Sequence, residues 1–160
     1  MRLYLLRHGI AIDREDPECP ADGERWLTPR GAERTRAAAA GLRRLGVRPR
    51  ALWSSPLVRA VQTAEIAARV LDLDPEAVRR TDVLSPDALP EDLLVELVSS
   101  DGDTLCVGHA PNLDDVLAYA LGWSGDGLPR LKKAGAACVD LNERRLVWFL
   151  DARSLRGIAR

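Results

Sequence analysis

Short apolar runs alternate with amphipathic stretches along this chain, and that alternation constrains the fold more than any other feature. Residues 2–7, 51–54, 78–83 and 104–108 read as strands, each followed by a loop or a segment of helical periodicity. Strands alternating with helices describe an α/β layered fold. Thr28 suits an N-cap and Pro29 the first helical position. The helix that follows runs to about Leu45, presents Ala38, Leu42 and Leu45 on one face, and ends at Gly46. Ser55 and Pro56 open a second helix with the stripe Leu57, Val61, Ala64, Ala68 and Leu71. Residues 88–99 predict a third, through Leu89, Leu93, Leu94 and Leu97, and Pro111 starts a fourth carrying Leu113, Val116, Leu117, Ala120 and Leu121. Residues 10–27 and 122–133 read as loops. Residues 135–141 and 145–150 read as two strands joined by Asn142-Glu143-Arg144, an antiparallel hairpin at the sheet edge.

The 160 residues suit a single domain over 1–160, with a core large enough to stand without a metal or disulfide staple. A net charge of −1 does not suggest a nucleic-acid partner or a polybasic membrane contact. No stretch approaches a membrane span or a signal peptide. Cys19, Cys106 and Cys138 are widely spaced and odd in number, which argues against a disulfide framework and a zinc site. A reducing cytoplasm is the expected compartment. The arginines between Arg30 and Arg50 read mostly as the solvated face of one helix.

Both histidines of the chain end strand-like runs, in Arg7-His8-Gly9 and in Gly108-His109-Ala110-Pro111-Asn112. Ligands of open α/β sheets bind beyond the carboxyl ends of the strands, so both imidazoles are expected at one edge. A neutral imidazole can attack phosphorus and hold the phosphoryl group covalently. The fork of Arg7 suits phosphate oxygens, and Gly9 allows a close approach of the backbone. Neighbouring cations would keep His8 a free base. A third element, Ser54-Ser55-Pro56-Leu57-Val58-Arg59-Ala60-Val61-Gln62-Thr63-Ala64, puts Arg59 in the first helical turn, off the apolar stripe, able to lean back over the same edge. Taken alone, each element also fits an ordinary strand end, turn or surface arginine. Ser54 and Ser55 read as caps. His109, if protonated, would stabilise charge on a phosphoryl group in transfer.

These motifs together resemble the histidine phosphatase superfamily, the branch with a phosphoglycerate mutase-like fold. The stretch Asp22-Gly-Glu-Arg-Trp-Leu-Thr-Pro-Arg-Gly31 is also similar to that family. Lys132-Lys133-Ala134-Gly135 before the hairpin resembles the short bacterial SixA-type phosphohistidine phosphatases. The resemblance implies a three-layer α/β fold, an open, mostly parallel sheet with helices on both faces. It implies His8 as nucleophile, Arg7, Arg59 and His109 as the phosphate pocket, and no metal or other cofactor.

The chain departs from larger relatives in lacking a firm general acid and room for a cap domain. Ala110 follows His109, which excludes a His-Asp acid. Asp87 is the first candidate acid and Glu91 the second; Asp87 equally suits a cap for the helix expected near Ala88. An alkoxide leaving group needs acid help worth roughly 10²–10⁴-fold, whereas a phosphoramidate leaves as an easily protonated imidazole. The expected activity is therefore dephosphorylation of a phosphohistidine on a protein of phosphotransfer or phosphocarrier type. A phosphomonoesterase for a small metabolite and a non-catalytic phosphate-binding module are the alternatives.

Overall fold

The computed structural model describes all residues, Met1–Arg160. Six strands make one sheet: β1 (Arg2–Arg7), β2 (Ala51–Ser54), β3 (Arg79–Arg80), β4 (Thr104–Gly108), β5 (Ala136–Asp140) and β6 (Arg145–Leu150), in the order β3-β2-β4-β1-β5-β6. The pairs β1–β4, β2–β4 and β2–β3 are parallel, while β5 runs antiparallel to both β1 and β6. β1 and β4 are central and covered on both faces, which is why they read as continuous apolar runs rather than alternating ones.

The helices are α1 (Pro29–Arg44), α2 (Val58–Val70), α3 (Pro90–Leu97), α4 (Asn112–Leu121) and α5 (Ala152–Ile158). Side chains of a strand alternate between faces, and β1 divides the core accordingly. Tyr4 and Leu6 join a cluster with Ala38, Leu42, Ala64 and Leu155 from α1, α2 and α5. Leu3 and Leu5 join another with Leu93, Leu97, Leu113 and Leu117 from α3 and α4. The architecture is thus the three-layer α/β arrangement with helices on both faces. No helix is long and apolar enough to cross a membrane.

Several boundaries differ from expectation for local reasons. α1 is capped as foreseen, Thr28 Oγ1 accepting from Gly31 N at 2.9 Å. Leu45 falls just past its end and is exposed, so it does not extend the apolar face. α2 starts at Val58, because Ser55 Oγ accepts from Leu57 N at 3.3 Å in a turn that precedes the helix. β3 is two residues long because Asp82–Leu84 winds into a 3-10 turn. α3 starts at Pro90, and Leu89 stays exposed. A second 3-10 turn, Asp22–Glu24, and an Ala11–Leu27 bridge lie inside the first loop. α5 was not foreseen: only Leu155 of its seven residues is buried, too few to give a periodic signal.

Candidate active site

β1 and β4 are parallel neighbours with Arg7 opposite Gly108, so the next residue of each strand leaves the same sheet edge. Those residues are His8 and His109. The His8 amide donates to Gly108 O at 3.0 Å, extending the ladder by one rung. The two rings lie 5.0 Å apart between centroids, their planes 51° apart. His8 is 6% exposed and His109 2%. Both nevertheless line a cavity of about 460 Å³, together with Arg7, Arg14, Asp22, Arg25, Arg59, Asp87 and Lys133. This is the crevice beyond the carboxyl ends of the strands, where open α/β sheets bind ligands.

His8 is held in one tautomer. Its Nδ1 lies 2.7 Å from Gly9 O. A carbonyl only accepts, so the Nδ1 carries the hydrogen and the Nε2 lone pair is free. Burial, followed by the charges of His109, Arg59 and Arg7, pulls the imidazole down to about 3 from its usual 6.5, against the pull of the Gly9 carbonyl. At neutral pH His8 is an uncharged base with an available nitrogen.

Gly9 does not line the cavity; it fixes the turn that carries His8. Its amide donates to Thr63 Oγ1 at 3.0 Å, and that hydroxyl donates to Arg59 O at 2.7 Å. A Cβ at position 9 would sit 2.2 Å from Thr35 Oγ1, so no other residue fits without a shift. Gln62 accepts from Leu27 N at 2.7 Å. The Gln-Thr pair of the α2 motif is therefore a clasp holding the His8 turn and the first loop onto α2.

The cations are anchored from behind. Arg7 Nη1 donates to Leu131 O at 2.7 Å. Arg59 is 3% exposed, which overturns the surface-arginine alternative. Its Nη1 donates to Asp22 O at 2.6 Å, and its Nη2 lies 3.1 Å from Asp22 Oδ2. His109 Nε2 is 2.8 Å from Ser55 Oγ. Burial, then the charges of Arg59 and Arg7, lower His109 to about 3, with Asp22 opposing them. Five buried side-chain polar atoms of the chain lack a partner, and three of them are Arg7 Nε, Arg59 Nε and His109 Nδ1. Buried polar atoms are nearly always satisfied, and these three belong to residues that line the crevice.

A family model matches over residues 3–82, half of the chain: the histidine phosphatase superfamily, branch 1. The chain belongs to that superfamily. An uncharacterized protein of Picosynechococcus sp. is 40% identical over 141 residues, covering 84% of this chain and 82% of that one. Among solved structures, the protein histidine phosphatase SixA in complex with tungstate superposes with a TM-score of 0.80 at 22% identity, over 97% of this chain and 99% of that one. A protein assigned as the phosphohistidine phosphatase SixA of Agrobacterium tumefaciens gives 0.75 at 26% identity, over 93% and 96%. The fold is the phosphoglycerate mutase-like one, and this histidine phosphatase is SixA-like in architecture.

Of the two carboxylate candidates, this histidine phosphatase brings only Asp87 to the cavity, and Glu91 is not among its lining residues. Asp87 does not cap α3: the N-cap is Leu89, without a side-chain bond. Asn112 at the start of α4 anchors the Asp87 loop, its Nδ2 donating to Ala88 O at 2.9 Å. Ser55, Asp22, Arg14, Arg25 and Lys133 were not identified from sequence as parts of the site. Asp22 and Arg25 lie inside the stretch that resembles the family, which was the available signal. Ser55 carried none, because a serine before a helix is an ordinary turn residue. Partial burial works to raise the Asp22 carboxyl, but hydrogen bonds from Arg14 and Arg25 and the charge of Arg59 hold it at about 2. It is a carboxylate at every physiological pH and unsuited to donate a proton. Trp26 and Trp123 are exposed away from the cavity, and Trp148 packs beside Tyr4 at 6.2 Å.

Proposed function

We propose that this protein is a single-domain phosphohistidine phosphatase that acts on a phosphorylated protein in the cytoplasm, through a phosphohistidine of its own. His8 Nε2 attacks phosphorus as the bond from phosphorus to the substrate imidazole breaks, and the departing nitrogen takes a proton from solvent or Asp87. Water then attacks the phosphoryl group on His8. The second P–N bond breaks, and inorganic phosphate leaves with His8 restored. Arg7 and Arg59 hold the equatorial oxygens in both steps. A phosphate dianion beside His109 favours its protonated form, opposing the burial that holds it uncharged in the fold.

One observation carries this reading: uncharged His8, with Nδ1 engaged by Gly9 O and Nε2 free, lines one crevice with Arg7, Arg59 and His109. The choice of phosphoramidate over ester follows from the carboxylates. Asp22 is locked as an anion by its arginines, which leaves exposed Asp87 as the one other carboxyl group lining the crevice. A leaving imidazole needs the help of an acid least.

The deciding experiment measures phosphate release from a histidine-phosphorylated phosphotransfer domain against a panel of sugar phosphates and phosphoamino acids. The expected result is a kcat/KM highest on phosphohistidine. Rates on a sugar phosphate far above it would make the protein a metabolite phosphomonoesterase. Tight phosphate binding with no turnover and no acid-labile label on His8 would make it a binding module.

A further inference from the structure

Beside the catalytic crevice lies a second cleft of about 430 Å³, and its lining is one-sided in charge. Arg7, Arg34, Lys132, Lys133 and Arg156 line it, with no carboxylate among its lining residues. The chain as a whole has 23 Lys and Arg against 24 Asp and Glu, so such a lining is a local concentration and not a reflection of composition. Arg34, Lys132, Lys133 and Arg156 make no side-chain ion pair. Asp13 and Asp151 lie close enough for Lys133 and Lys132 to feel their charge, but neither lines the cleft. Arg7 and Lys133 border both this cleft and the catalytic crevice, so the two adjoin. Arg34 and Arg156 in turn border a groove between α1 and α5 that adds Arg30 and Arg160 against the single acid Glu33.

The cationic band sits on a stiff support. Arg30 and Arg34 are one turn apart on α1, and Arg156 is on α5. The two helices meet at Gly41, where a Cβ would sit 2.1 Å from Leu155 O. A contact that close leaves little room for sliding. Burial, then the charges of Arg7 and Arg25, lower the Lys133 ammonium at the border of the two cavities, with Asp13 opposing them.

We propose that the cleft of Arg34, Lys132, Lys133 and Arg156 receives carboxylate side chains that flank the phosphohistidine on the substrate protein, so that the enzyme selects phosphohistidines set in acidic surroundings. The proposal rests on the phosphohistidine reading and names the partner chemistry for that site. Complementary charge steers encounter and enforces partner choice, and the cationic residues adjoin the catalytic crevice through Arg7 and Lys133. A small phosphohistidine compound fills only the catalytic crevice and gains nothing from the cleft.

The test uses two histidine-phosphorylated peptides, identical except for glutamates or glutamines flanking the phosphohistidine, and free phosphohistidine as a third substrate. The wild-type enzyme is expected to favour the glutamate peptide by about tenfold in kcat/KM at low salt, through KM, with the preference shrinking as salt is added. The double variant Arg34→Glu/Arg156→Glu is expected to lose that preference and keep its rate on free phosphohistidine. Lys132→Glu, at an exposed position, gives the same readout should the double variant fold poorly. Equal rates on both peptides overturn the proposal, as does a variant that loses activity equally on all three substrates. A small bisphosphate hydrolysed faster than its monophosphate, with that advantage lost in the variant, also overturns it, assigning the cleft to a second phosphate. No turnover of either peptide or of free phosphohistidine by wild type removes the functional reading itself, and this proposal with it.

Discussion

Asp22 grips Arg59 twice, with its backbone oxygen at 2.6 Å and its carboxylate at 3.1 Å, and so places a fixed negative charge against the phosphate pocket. The backbone contact remains when the carboxylate is replaced by an amide. The carboxylate therefore tempers the positive field more than it positions the arginine. Asp22→Asn is expected to tighten inorganic phosphate binding by about fivefold, the effect of roughly 1 kcal/mol at a partly solvated site. Product-inhibition constants measure this. Weaker phosphate binding in the variant would make the carboxylate a positioning group instead.

His8→Asn is expected to abolish turnover on the best substrate, by at least about 10³-fold as for other covalent nucleophiles. It is also expected to leave no acid-labile phosphoenzyme after quenching. The same protein should still bind phosphate, since Arg7, Arg59 and His109 keep their anchors in Leu131, Asp22 and Ser55. Residual covalent labelling in the variant would move the nucleophile to another residue.

Ser55 ties the end of β2 to His109 through a 2.8 Å bond while accepting from Leu57 N, and so fixes the second imidazole before substrate arrives. Ser55→Ala should lower kcat by about tenfold with little change in KM, the value of one lost hydrogen bond at a buried site. Ser55→Thr should recover most of it. A drop in KM alone, or no rescue by threonine, would count against positioning through the hydroxyl.

The legible part of this fold is the part that periodicity and position dictate. β1 and β4 announced themselves as unbroken apolar runs because both of their faces are covered, and the histidines after them had to emerge together once those strands paired in parallel. α5 was invisible because a helix held by one leucine and an Asp151 cap carries no stripe. Arg59 was placed at the pocket edge by helical spacing, which gives direction and not depth; its burial comes from the first loop, which folds over it and brings Asp22 to its guanidinium. Ser55 and the clasp of Gln62 and Thr63 were opaque for a related reason. A hydrogen bond between residues 54 positions apart, as from the Gly9 amide to Thr63 or between Ser55 and His109, leaves no local pattern.

Both imidazoles are uncharged in the fold and titrate near 3, while in an unfolded chain they titrate near 6.5. Between those values the unfolded chain binds more protons, so stability is complete above about pH 6.5 and falls as pH drops toward 3. The slope from each histidine is about 1.4 kcal/mol per pH unit in the middle of that window. Urea unfolding of wild type and His109→Asn at about pH 5 and pH 7 should show a shallower pH dependence in the variant, by about 0.7 proton on average. An unchanged slope would mean that His109 is protonated in the fold.

Asp87 separates the two substrate classes. It is exposed at the rim of the crevice, it caps nothing, and Asn112 fixes the loop behind it through Ala88 O. If it donates a proton to the leaving atom, the size of its contribution depends on how badly that atom needs one. An alkoxide from a phosphomonoester needs it most, and Asp87→Asn should depress ester hydrolysis by roughly 10²-fold or more. An imidazole leaving from phosphohistidine is protonated by solvent, so the same variant should lose less than about tenfold on that substrate. Measuring both rates on one preparation cancels any effect on folding. Equal losses on the two substrates would show that Asp87 acts on phosphate binding and not on the leaving group, and no loss on either would leave the enzyme working without a general acid.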